Sequence, residues 1–147
     1  MLQRIQTVYL MLAFLVSALL FTQLPIAVFP FPDGGDIVFN IVGKYEIIST
    51  LPLLLLNGAL VLLSFISVFL YGKRPLQYKL CMFGFLINVI LIIVMFFTAD
   101  SMQSQLKVEA QYKFGAILPL ISMVLLILAS KGIRKDEKLI KSADRLR

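Results

Sequence analysis

Four stretches of this chain, at about residues 5–24, 50–71, 80–98 and 114–131, are long and apolar and hold no Asp, Glu, Lys, Arg or His before Lys131, the last residue of the fourth. The hydrocarbon layer of a bilayer is about 30 Å thick and an α-helix rises about 1.5 Å per residue, so a crossing takes about 20 such residues. All four qualify. With a mean hydropathy of +0.94 over 147 residues, the expected fold is an all-α membrane protein. It is a single four-span domain over 1–147, with its transmembrane helices arranged as two antiparallel hairpins. Pro25 stops the first span, Pro52 falls in the opening turn of the second, where a missing N–H costs little, and Pro119 is expected to kink the fourth near its start. Arg4 before an apolar run also suits a cleaved signal peptide, but the LPIAVFPF that follows offers no small-x-small cleavage site.

Positive side chains near span ends are retained in the cytoplasm, so their distribution predicts orientation. One face collects Arg4, then Lys73, Arg74 and Lys79 of the 72–79 connection, then Lys131, Arg134, Lys135, Lys138, Lys141, Arg145 and Arg147. The other has Lys44, Lys107 and Lys113. Eleven against three predicts a multi-pass protein with both termini in the cytoplasm.

Residues 132–147 form a basic cytoplasmic tail. At about 100° per residue, Ile133, Leu139, Ile140, Ala143 and Leu146 share one arc, and Arg134, Glu137, Lys138, Lys141, Asp144 and Arg145 share the other. Asp136 and Arg147 interrupt the apolar arc. The expectation is an amphipathic helix joined through Gly132 to the last span and lying on the anionic inner leaflet. Arg134, Lys135, Lys138, Lys141, Arg145 and Arg147 are then candidate contacts for the membrane surface, or for a membrane or cytoplasmic protein partner.

On the opposite face, Leu106 to Phe114 alternates apolar and polar over nine residues, the period of a half-buried strand. Asp36 to Ile47 is rich in β-branched and aromatic residues, with Gly43-Lys44 available as a turn, and Phe31 to Asp36 is turn chemistry. A small extracytoplasmic β-cap of about three short strands is expected, a hairpin from the first loop and one strand from the second. Lys44-Tyr45 through Leu51-Pro52-Leu53 and Gln111-Tyr112 through Leu118-Pro119-Leu120 match at a constant offset of 67, which fits either a duplicated hairpin or chance in a Leu-rich chain.

Enzymes and proton-coupled transporters in membranes generally use ionisable groups at depth. The spans hold none, the chain has no His, and its lone Cys81 permits neither a thiolate zinc site nor an intrachain disulfide. No catalytic residue, metal or cofactor is expected. Asp33 and Asp36 lack the ligand spacing of a calcium loop and read as turn formers. Asn57 and Asn88 are the candidate polar contacts inside the membrane, as interhelical packing glue or as the lining of a small cleft. Tyr9, Tyr71 and Tyr78 at one end, and Phe29, Tyr45, Phe97 and Tyr112 at the other, read as interfacial belts. A sequence pI near 9.6 does not imply nucleic-acid binding, because topology accounts for the excess charge.

The opening MLQRIQTVYLMLAF, the connection KRPLQYKLCMF and the ending GAILPLISMVLLILASKGIRKDEKLIKSADRLR together resemble the small four-span inner-membrane proteins of Bacteroidota grouped as domain of unknown function 4293. The resemblance spans the whole chain, is most specific at SADRLR, and implies a bacterial cytoplasmic membrane but no activity. Two functions are thus open: a non-catalytic accessory, scaffold or assembly subunit, or a small transporter or channel, oligomeric or not, routed past Asn57 and Asn88. A cavity lined by those amides would favour the second, and an interior filled by Leu, Ile and Phe the first.

Overall fold

A computed structural model describes residues 3–32, 34–46, 48–70 and 72–144. The chain is mostly helical with one small sheet, in the order α1 (Gln3–Leu19), β1 (Ala27–Phe29), β2 (Ile37–Phe39), α2 (Leu51–Phe69), α3 (Arg74–Leu106), β3 (Gln111–Tyr112), a 3-10 turn (Phe114–Ala116) and α4 (Leu118–Asp144). Each helix packs on two others: α1 on α2 and α4, and α3 on α2 and α4. Three of them, α2, α3 and α4, are long and apolar enough to cross a membrane, and α1 is apolar but shorter at 17 residues. This is compatible with a multi-pass membrane protein.

Proline places three of the helix starts. Pro52, Pro75 and Pro119 are each the second residue of their helices, where the ring sets φ and no intrahelical N–H is lost. Pro119 therefore opens α4 instead of kinking it. The first helix ends earlier than expected: after Leu19 it relaxes into tight turns, with Leu20 N donating to Ser17 O at 3.3 Å and Thr22 N to Leu19 O at 3.0 Å, and Gln23 takes a left-handed φ of 61°. Conversely, α3 runs on past residue 98 through Asp100 to Leu106 and is closed by Lys107 at φ 54°. Its 33 residues make it about 50 Å long, well beyond the hydrocarbon thickness.

The sheet has the order β2-β1-β3 with both pairs antiparallel: Ala27 faces Phe39 and Tyr112, and Val28 faces Val38 and Gln111. Three strands form, as expected, but not where the hairpin was placed. The turn lies at 31–36 and not at Gly43-Lys44, with Gly34 at φ 81° and Asp36 Oδ1 accepting from Phe31 N at 3.3 Å. The central strand comes from the segment between Pro25 and Pro30, two residues that bar helix on either side of Ala27–Phe29. Leu106 belongs to α3, and the predicted 106–114 strand is reduced to two paired residues, Gln111 and Tyr112. Phe29 is 0% exposed, a core residue and not a belt anchor. β1 and β2 lie in the α1–α2 connection and β3 in the α3–α4 connection.

The C-terminal segment is not a separate surface helix, because α4 is continuous to Asp144. Gly132 does not act as a hinge; it lets α4 approach Gln6 of α1, whose Cγ would lie 2.7 Å from an added Cβ. The buried face continues through Ile133 and Asp136, while Leu139 and Ile140 of the predicted apolar arc are exposed.

Candidate functional site

In each helix the buried positions recur every three or four residues: Gln6, Leu10, Ala13 and Ser17 in α1; Leu53, Asn57, Leu60, Ser64 and Ser67 in α2; Cys81, Gly84, Asn88, Leu91 and Met95 in α3; Ser122, Leu126, Ala129 and Ile133 in α4. The stripes hold the polar side chains, and the opposite faces hold exposed Leu, Ile and Phe such as Leu12, Leu55, Phe83 and Val124. So broad an apolar exterior is what lipid covers. The polar residues on these stripes therefore point inward.

Four of them, one from each helix and all 0% exposed, meet toward the sheet end: Ser17, Asn57, Asn88 and Ser122. Asn57 Nδ2 donates to the Ser17 carbonyl at 3.1 Å. The Ser17 and Ser122 hydroxyls are 2.9 Å apart and share a hydrogen bond. With its carboxamide turned so that both ends find partners, Asn88 donates to the Pro119 carbonyl at 3.2 Å and accepts from Ser122 Oγ at 3.3 Å and from Met123 N at 3.2 Å. Met123 is four residues after Pro119, so Asn88 spans one turn of α4 across the helix interface. The structure joins the two amides through Ser17 and Ser122, two serines to which sequence reasoning gave no special weight. Their signal was phase: Ser17 lies seven residues after Leu10, and Ser122 four before Leu126, on the same stripes as the core.

Asn57 Oδ1 and Ser64 Oγ are buried without a hydrogen-bond partner. The buried core of the same helices includes Leu10, Leu53, Leu60, Leu91, Met95 and Leu126. Cys81, at 1% exposure, belongs to the same core.

At the other end, Gln77 of α3, 2% exposed, donates to the Ser67 carbonyl of α2 at 2.9 Å and ties the short α2–α3 connection. Here the basic candidates divide. Arg134, Lys135 and Lys138 are exposed on α4, and the Arg134 guanidinium lies 5.2 Å from the Tyr78 ring centroid, within the range of a cation–π contact. Arg145 and Arg147 lie outside the described residues, as does the side chain of Lys141. Asp136, read as an interruption of the apolar arc, is 6% exposed with its Oδ2 unpartnered. Of the predicted belts, Phe97 and Tyr112 are exposed, while Tyr45 is structural: its hydroxyl donates to Val38 O at 2.6 Å and accepts from Asn40 N at 2.9 Å. Asp33 and Tyr71 lie outside the described residues. Among the described residues no three His, Cys, Asp or Glu side chains cluster as a metal site would require.

Among families of known sequence pattern, the one described as Domain of unknown function (DUF4293) matches residues 2–146. No curated protein and no solved structure matches.

Proposed function

Because the chain belongs to the DUF4293 family, whose description carries no activity, we propose from its own chemistry that it is a non-catalytic accessory, scaffold or assembly subunit of a bacterial inner membrane. In this reading the four helices form a four-span bundle with both termini cytoplasmic, the sheet caps the periplasmic side, and the basic end of α4 meets the anionic inner leaflet or a cytoplasmic partner. The observation that carries the proposal is the state of the two amides. A conduction path needs polar groups exposed along a cavity, whereas Asn57 and Asn88 are both 0% exposed and each bonds to a neighbouring helix, Asn57 through Nδ2 alone. Interhelical hydrogen bonds of this type hold helices in register.

The test is purification from the native host in mild detergent, with identification of co-purifying proteins. A discrete partner in fixed ratio, lost when 134–147 are deleted, is expected. A lone oligomer that supports substrate flux in liposomes, with flux abolished by Asn57→Leu in folded protein, would overturn the reading in favour of transport.

A further inference from the structure

The exposed side of α3 carries a groove of about 580 Å³ beginning at Tyr78 and Lys79 and continuing past Met82, Phe83 and Leu86 to Val89. Its polar groups are confined to the first two residues, and everything beyond them is apolar. From Tyr78 to Val89 is eleven residues, about 16 Å along the helix, close to half of a roughly 30 Å hydrocarbon layer. The groove thus has the depth of one leaflet, and its polar end coincides with the basic end of the molecule.

We propose that this groove is a binding site for one anionic phospholipid, with the phosphate headgroup between Lys79 and Arg134 and an acyl chain along Met82, Phe83 and Leu86. Charge complementarity points to that occupant. Arg134 is held over the ring of Tyr78 at 5.2 Å, Tyr78 and Lys79 line the polar end of the groove, and exposed Lys131 and Lys138 lie three residues before and four after Arg134 on the same side of α4. Clustered bases at the cytoplasmic ends of membrane helices recognise acidic headgroups. A second copy of the chain fits less well. Helix pairs in membranes approach through small residues, and the small residues of this stretch, Cys81 and Gly84, are buried on the inner face, leaving Met82, Phe83 and Leu86 outside. The site rests on the orientation proposed above only for which leaflet supplies the lipid.

The experiment is native mass spectrometry of the delipidated full chain titrated with dioleoylphosphatidylglycerol or dioleoylphosphatidylcholine. Wild type is expected to retain the anionic lipid at least tenfold more tightly. Lys79→Ala with Arg134→Ala should weaken it by roughly thirtyfold, at about fivefold per basic residue, and remove the preference. Leu86→Trp, which fills the groove and leaves both bases, should lower occupancy by either lipid. Equal retention of the two lipids by wild type, an undiminished preference in the double variant, or a change of oligomeric state in Leu86→Trp without loss of lipid would each overturn the site. Partner recovery reports separately on the scaffold reading, so either can fail alone.

Discussion

Asn88 and Asn57 are both carboxamides at zero exposure, yet they are unequal in what their loss removes. Asn88 satisfies three groups of α4, including the Met123 amide and the Pro119 carbonyl, whereas Asn57 makes one bond and keeps an oxygen that is buried and unpaired. Interhelical bonds in membranes average about 0.6 kcal/mol each, so Asn88→Leu is expected to cost about 1–2 kcal/mol. Asn57→Leu is expected within about 0.5 kcal/mol of wild type, because it also removes an unsatisfied acceptor. Unfolding in mixed micelles would rank them, and the reverse order would refute the bonding pattern. Two glycines give a second contrast. A Cβ on Gly115 would lie 2.6 Å from the backbone oxygen of Pro25, while one on Gly132 meets the flexible side chain of Gln6. Gly115→Ala should cost about 1–3 kcal/mol as an overpacked site. For Gly132→Ala the shift of Gln6 is offset by about 1 kcal/mol of helix propensity, so thermal unfolding should hardly change.

Among the elements, the sheet was legible in number and not in place. The alternation in 106–114 holds only as far as Gln111, since Leu106, Val108 and Ala110 are half-buried and Lys107, Glu109 and Gln111 exposed, while Tyr112 and Phe114 are exposed as well; a period of two also does not report which amides are paired. Pairing was decided by where a partner could sit: β1 lies between two prolines, too short for its composition to stand out. The helices were legible where apolar length governs and misjudged where packing does. Thus α3 overran its span because its core stripe continues through Thr98, Ala99 and Met102, and α4 absorbed the tail because Ile133 and Asp136 stay buried. In the cap, Tyr45 holds the β2 end to the loop before α2, and Tyr45→Phe should destabilise it by about 1–2 kcal/mol. Burial pushes the Tyr45 phenol above its ordinary value of 10.0, against a smaller lowering by the Asn40 amide. Its stabilising effect is complete below pH 10 and is withdrawn as pH rises through the folded value. Stability should therefore fall more steeply above pH 10 in wild type than in Tyr45→Phe; parallel curves would show that the phenol is not coupled to folding.

For the whole molecule the exterior of a soluble protein is reversed: the exposed helix faces are Leu, Ile and Phe, while Ser17, Asn57, Asn88 and Ser122 are inside among the apolar core. That arrangement was written in the sequence as the phase of Ser17, Asn57, Asn88 and Ser122, but apolar length alone does not reveal it, since a span that is apolar all round gives no inward direction. The same reversal concentrates charge at the two ends, and there the asymmetry is large: eleven bases on the α2–α3 connection and both termini, three on the sheet side. Because basic side chains cross a membrane poorly and are retained in the cytoplasm, the sheet should face the periplasm. The single native cysteine is buried at 1% exposure, so thiol labelling has a quiet background. Gly35 is exposed with no atom within 4 Å of an added Cβ, and Lys138 is exposed near the far end of α4. Gly35→Cys is expected to react with a membrane-impermeant maleimide in cells whose outer membrane has been opened, and Lys138→Cys only after the inner membrane is also lysed. Were Lys138→Cys to label first, the sheet would lie in the cytoplasm and the basic end of α4 would have no inner leaflet to meet.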